Sequence, residues 1–151
     1  MLGETAGIAA GSTPSAARLE LTLENSFPAL GQAAIQAHQF FTTQGLASKA
    51  IFRADLVFEE VITNIIRYGH DDGGTHTIKV AMAVEAEKAI LIFEDNGREF
   101  DPLAIGEPES SGQVDDIPIG GRGLGLVRMM IQSGDYQRRE GRNRLVLVIS
   151  G

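Results

Sequence analysis

The sequence contains no cysteine and no tryptophan, and only 6% of its residues are aromatic. Without cysteine there is no disulfide framework, no thiol nucleophile and no cysteine-ligated zinc, which excludes several enzyme classes together. Long apolar runs are missing as well. None approaches the roughly 18 residues that a membrane-spanning helix needs, and the first residues lack the basic segment followed by an apolar stretch that marks a secretory signal. These absences lead us to expect a cytoplasmic protein without a membrane partner. The three histidines, His38, His70 and His76, do not read as a ligand-spaced set. Cations are scarce over most of the chain. Residues 1–121 carry 7 basic and 18 acidic side chains (net −11) and residues 122–151 carry 6 and 2 (net +4), which together give −7. A duplex binder needs a basic face to release counterions, so direct nucleic-acid binding is not expected, and the C-terminal arginines read as a solvated strand face.

What is present is the balance of an ordinary globular domain, 43% hydrophobic and 22% charged over 151 residues. Residues 1–17 are mostly Gly, Ala, Ser and Thr, too small to bury much surface, and read as a flexible arm. Residues 18–151 read as one domain. Leu19, Leu21 and Leu23 alternate with polar residues as in a half-buried strand. Ser26 is a plausible N-cap, with Pro28 in the first turn, for a helix whose apolar residues recur three or four apart as far as Gly45. Ser48 is expected to cap a second helix running to about Tyr68, with Gly69 marking its end. Ile78 to Val84 and Ala89 to Glu94 alternate as two strands joined through Glu87 and Lys88, a hairpin.

The segment from about 98 to 121 is rich in Gly, Pro, Ser and acid, with six carboxylates and no Lys or Arg between Glu99 and Asp116. It reads as a long loop of the functional or disordered kind, expected to be mobile until a ligand orders part of it. Leu124 to Gln132 follows as a helix, then Tyr136 to Arg139 and Leu145 to Ile149 as strands around Gly141. This order implies an α+β fold, a mostly antiparallel sheet with helices packed on a single face.

Three motifs carry chemistry. Glu60 and Asn64 stand one turn apart on the second helix and project from the same side, whereas Glu59 points toward solvent. Taken alone, the pair reads first as a solvated polar stripe on an amphipathic helix. Asp95-Asn96-Gly97 ends an apolar strand. It is either a simple turn, since Asn and Gly tolerate positive φ, or a carboxylate held at an open strand end. Gly120-Gly121-Arg122-Gly123-Leu124-Gly125-Leu126 opens a helix, where glycine backbone N–H groups and the helix dipole favour phosphate oxygens. It is neither a Walker A motif nor a dinucleotide-binding fingerprint, and the protein-kinase signature set is absent.

Together, a helical Glu-x-x-x-Asn, a strand-end Asp-x-Gly, a long lid and G-x-G-x-G opening a helix resemble the GHKL ATPase superfamily. The strings Glu-Glu-Val-Ile-Thr-Asn-Ile-Ile-Arg-Tyr-Gly-His and Gly-Gly-Arg-Gly-Leu-Gly-Leu are most similar to its anti-sigma factor serine-protein kinases. The resemblance implies a two-layer Bergerat-type fold with ATP and Mg2+ as cofactors. It implies Asn64 as the metal ligand, Glu60 as general base, and Asp95 as the acceptor of adenine N6 with Gly97 beside it. Gly121, Gly123, Leu124 and Gly125 would line the phosphates, with Arg122 offsetting their charge. The pattern departs at Tyr68, where several relatives carry His. The implied partners are a STAS-type antagonist protein as substrate, a sigma factor and a second copy of the chain. The alternative is a nucleotide-dependent protein-binding module of the same fold that transfers no phosphate.

Overall fold

The computed structural model describes residues 17–104 and 119–151. The arm, apart from residue 17, and most of the expected lid lie outside the described residues. The elements run β1 (Arg18–Glu24), α1 (Phe27–Thr43), α2 (Ser48–Tyr68), β2 (Thr77–Glu85), β3 (Lys88–Asp95), a 3-10 turn (Pro102–Ala104), α3 (Ile119–Met130), β4 (Ser133–Arg139) and β5 (Arg142–Ile149). The five strands form one sheet in the order β1-β2-β3-β5-β4, and every ladder is antiparallel. The α+β architecture expected from the sequence is thus the one observed. No helix among the described residues is long and apolar enough to cross a membrane.

Strand alternation decides which face is buried. Ile78, Val80 and Met82 of β2, Ala89, Leu91 and Phe93 of β3, and Leu145, Leu147 and Ile149 of β5 all point to the helical side and are buried. Against them lies the apolar stripe of α2, with Ala54, Val57, Phe58, Val61 and Ile62 fully enclosed. The rings of Phe58 and Phe93 meet at 6.1 Å between centroids, joining helix to sheet at the level of the cleft described below. On its other flanks α2 packs against α1 and α3.

Local signals set most boundaries. Ser26 caps α1 as expected, its hydroxyl accepting from the Ala29 N–H at 3.3 Å, and Gly45 closes the connection at φ +78°. Ser48 does not cap α2. It is the first helical residue, and the N-cap is Ala47, which offers no side-chain acceptor. Gly69 ends α2 at φ −70°, so its missing side chain serves not a left-handed turn but space, since a Cβ there would lie 2.7 Å from the Ile65 carbonyl oxygen. α3 begins at Ile119, five residues before the expected Leu124, so the glycine run lies inside the helix. The β2–β3 turn is Ala86-Glu87, with Lys88 already paired to Glu85.

Both turn residues sit at positive φ, 52° and 67°, the mirror-image geometry that suits hairpin twist but strains L residues with a side chain. Left-handed backbone costs non-glycine residues about 1–2 kcal/mol each. Replacing Ala86-Glu87 by Asn-Gly is therefore expected to stabilise the fold by up to about 1 kcal/mol, net of the extra chain entropy of glycine. The urea midpoint should rise with an unchanged slope.

Candidate functional site

The C-terminal half of α2, the end of β3, the start of β5, Tyr136 of β4 and the segment following β3 line a cleft that is open to solvent. Asn64, Tyr68, Asp95, Arg98, Phe100 and Asn143 are among its walls. The floor is apolar, with Val61, Phe93 and Leu145, so the few polar groups stand out. Three of them are the buried polar residues of the described core: Asn64, Asp95 and Asn143, at 5%, 6% and 7% exposure.

Asn64 sits on the inner side of α2 because the 3.6-residue repeat carries it there with Val57 and Val61. Its amide Nδ2 donates to the Glu60 backbone carbonyl at 2.7 Å. Its Oδ1 is buried and has no hydrogen-bond partner. Such an orphan costs roughly 1–3 kcal/mol and calls for a physical reason. Glu60, one turn earlier, is half-buried and is not among the cleft-lining residues; Glu59 is exposed, as expected.

Asp95 is the last residue of β3 and faces inward by strand alternation. Its Oδ1 accepts from the Gly97 N–H at 2.7 Å and from Asn143 Nδ2 at 3.1 Å, while Oδ2 has no hydrogen-bonding partner among the described residues. Gly97 is pressed against the end of α2. A Cβ there would come within 2.8 Å of the Gly69 carbonyl oxygen and 2.9 Å of Asp95 Oδ1, and the same Gly69 carbonyl accepts the Arg98 N–H at 2.8 Å. No side chain fits at 97.

Asn143, opposite Asp95 in the β3–β5 ladder, holds this turn from the far side. Its Nδ2 also donates to the Arg98 carbonyl at 2.9 Å, and its Oδ1 accepts from the Tyr136 hydroxyl and, at 3.1 Å, from Arg138 Nη1. Arg138 Nη1 further donates to the Gly97 carbonyl at 2.7 Å. The C-terminal arginines are therefore not all a solvated face, since Arg138 turns inward to satisfy the loop. Sequence reasoning missed Asn143, Tyr136 and Arg138. The one available signal was an amide at the buried phase of Asn143, Leu145, Leu147 and Ile149.

The glycine run opens α3, which packs against α2 and the 3-10 turn. Gly121, Arg122, Gly123 and Leu124 have helical backbone, but their side chains lie outside the described residues. A Cβ built on Gly125 would meet nothing within 4 Å.

The connector from α2 to β2 corrects the reading of the histidines. His70 and His76 stack face to face, centroids 3.4 Å apart and planes within 2°, and with Asp72 they bring their ligand atoms within 4.8 Å of one another. Histidines six residues apart gave no such expectation, because the turn at Gly73, φ +68°, is what folds the segment back. The Gly74 N–H and then the His76 ring, both bonded to Asp72, hold its carboxyl below the ordinary carboxylate range.

Two outcomes test this construction. Gly97→Ala should destabilise the protein by about 1–3 kcal/mol, the scale of backbone-incompatible substitutions, measured by denaturant titration. Burial pushes the Tyr136 phenol above its ordinary value, the Phe100 N–H opposing it. A raised folded-state value means that the native chain holds this proton more tightly. Its contribution is thus fully present below about pH 10 and is lost as pH climbs through the raised value. Tyr136→Phe should lower stability at neutral pH, and the difference from wild type should shrink in alkaline unfolding titrations.

Residues 25–149 match the family described as the Histidine kinase-like ATPase domain. A serine/threonine-protein kinase, BtrW of Bordetella bronchiseptica, is 31% identical over 96 residues, which are 64% of this chain and 68% of BtrW. The fold is similar to that of the RsbU and RsbW domains of a Mycobacterium tuberculosis protein, with a TM-score of 0.63 at 15% identity over 89% of this chain. This chain spans only 32% of that longer structure. It is also similar to a chain of the SiaB–SiaC complex of Pseudomonas aeruginosa, with a TM-score of 0.55 at 13% identity, covering 87% of this chain and 88% of that one. With a family match across most of its length and the antiparallel sheet and helical layer described above, the chain belongs to the histidine kinase-like ATPase domain family.

Proposed function

We propose that this protein is an ATP-dependent serine/threonine protein kinase that phosphorylates a small STAS-type antagonist protein and acts as an anti-sigma factor in a partner-switching system. The observation that carries the proposal is the unpartnered, buried Asn64 Oδ1, in one cleft with a buried Asp95 whose Oδ2 is also free among the described residues. The kinase name of the BtrW relative supports the activity, and the RsbU–RsbW and SiaB–SiaC structures support the setting of a regulatory protein pair.

The residues fit the group that the family implies. A neutral amide oxygen, with no thiolate nearby and already desolvated, is a ligand for a hard cation such as Mg2+ rather than for a soft one. Asn64 would hold Mg2+ through this oxygen, and the ion would supply charge neutralisation on the ATP phosphates. Asp95 Oδ2 accepts the adenine amine, while Asn143 and Gly97 hold the carboxylate through Oδ1. The apolar floor of Val61, Phe93 and Leu145 suits a base. The first turn of α3, with Gly120 and Gly121, presents N–H groups that lack intrahelical acceptors to the phosphates, Gly123, Leu124 and Gly125 follow within the helix, and Arg122 offsets the phosphate charge. Glu60 takes the proton of the substrate hydroxyl as its oxygen attacks the γ-phosphorus. The bond to the β–γ bridging oxygen breaks, and ADP leaves. A second reading, a nucleotide-dependent binding module without transfer, is favoured by one observation, that Glu60 stands outside the cleft wall.

Radiolabel transfer from ATP to a co-purified antagonist, abolished in Glu60→Gln with ATP affinity retained, is the outcome expected of the kinase. ATP binding with no transfer under any condition would leave the binding module. Asn64→Ala should remove the difference in nucleotide affinity between Mg2+ and EDTA in calorimetric titrations with only a small change in melting temperature, because removing the orphaned Oδ1 offsets the loss of the Nδ2 bond to the Glu60 carbonyl. GTP presents a carbonyl where adenine presents its amine, so wild type should prefer ATP by about tenfold to a few hundredfold. Asp95→Asn should weaken ATP binding and narrow that gap.

A further inference from the structure

We infer that His70, Asp72 and His76 form a second metal site, in the connector between α2 and β2, that takes a borderline transition-metal ion of the Zn2+, Ni2+ or Co2+ class rather than Mg2+. The site is separate from the nucleotide chemistry, sharing no residue with it.

Three observations carry it. First, the spacing is close to that of ligands around one ion. With metal–ligand bonds of about 2.0–2.2 Å, a tetrahedral ion sets its ligand atoms roughly 3.3–3.5 Å apart. His76 Nε2 already stands 3.0 Å from Asp72 Oδ2, and all three residues offer ligand atoms within 4.8 Å. Second, the backbone is pinned from outside. The His76 N–H donates to Asn25 Oδ1 at 2.9 Å, the Asn25 N–H donates to the His76 carbonyl at 3.0 Å, and the Gly74 N–H donates to Asp72 Oδ1 at 2.8 Å. Asp72 and His76 are thereby held in position before any ion arrives, which lowers the entropy cost of binding. Third, the donor set is selective. Two imidazoles and one carboxylate suit the borderline metals, whereas Mg2+ favours oxygen ligands and retains water.

Loading exchanges one contact for another. The ion takes the place of the proton shared between His76 Nε2 and Asp72 Oδ2, and that proton goes to solvent. The His70 ring, half-buried and held only by stacking among the described contacts, rotates out of the stack so that a nitrogen faces the ion in its own ring plane. Water completes the coordination.

ZnCl2 titrated calorimetrically into the full chain without nucleotide should show one saturable site, and MgCl2 should show none there. Co2+ should give visible ligand-field bands that Zn2+ abolishes. His70→Ala and His76→Ala should each weaken Zn2+ binding by at least about tenfold, the lower end of what even a supporting contact contributes to metal affinity. His38→Ala, whose histidine pairs with Asp55 on the α1–α2 surface, should bind as wild type does. His76→Gln keeps a side-chain donor for Asp72 and guards against misfolding of the alanine variant, with far-ultraviolet circular dichroism as the check. Absence of saturable binding, or unchanged affinity in folded variants of His70 and His76, would overturn the assignment.

Discussion

The site depends on one close approach, that of the Gly97 backbone to the end of α2 at Gly69. The chain leaving Asp95 at the end of β3 crosses the helix terminus at van der Waals distance, and a Cβ at Gly97 would meet the Gly69 carbonyl oxygen at 2.8 Å. The crossing is fixed by the Arg98 N–H bond to the Gly69 carbonyl. From it follows the rest of the pocket. Arg98, Phe100 and Pro102 fall along one wall, and Asn64, four residues before Tyr68, falls along the other. Helix end and strand end thus behave as one rigid corner, and the polar atoms at that corner need partners from elsewhere in the chain.

Those partners come from the C-terminal hairpin. Asn143 and Arg138 satisfy the carbonyls of Gly97 and Arg98, and Asn143 also donates to the Asp95 carboxylate. In water these groups would be solvated. In a half-dry cleft, each left unpaired would cost on the order of 1–3 kcal/mol. Among the described residues the network leaves the buried Asn64 Oδ1 without a partner, and Asp95 Oδ2 takes no part in it. Sparing two acceptors in a cleft whose loop carbonyls are otherwise satisfied is what the proposed function rests on, since a bound cation and a donor would complete them.

Local chemistry was legible and non-local chemistry was not. The helix periods and the strand alternation follow from residue spacing, which is why the α+β layers could be read directly, whereas Asn64 and Asp95 were singled out only by the combination of motifs and the resemblance it carried. Asn143 became a partner of Asp95 only through the register of β3 against β5, forty-eight residues apart, which no local pattern sets. Ser48 misled because Ser is a good cap and an acceptable first-turn residue alike, and the chain used it as the second. The start of α3 was placed late because four glycines discourage helix, a preference of about 1 kcal/mol each that packing against α2 overrides. The histidines failed for a related reason, since Gly73 at positive φ sets their separation in space and their numbering says nothing of it.

Charge shows how the same logic extends past single contacts. On the proposed function a nucleotide of about four negative charges would approach a chain of net −7, and at effective dielectric constants near 20 an inward-facing carboxylate would oppose it by several kcal/mol at contact distance. The sequence solves this by segregation, with a C-terminal stretch of net +4 that supplies α3, β4 and β5. Folding brings β4 and β5 to the cleft edge opposite α2, so the positive stretch borders the pocket, while α1 carries no Asp, Glu, Lys or Arg and α2 keeps Glu59 on its exposed side and Asp55 paired with His38. Arg138 is already engaged by two acceptors within the corner and contributes field rather than a free hydrogen-bond donor to a phosphate. On the proposed reading, the remaining direct neutralisation would come from groups at the open side of the cleft and from a cation at Asn64, which would tie nucleotide affinity to that one orphaned oxygen.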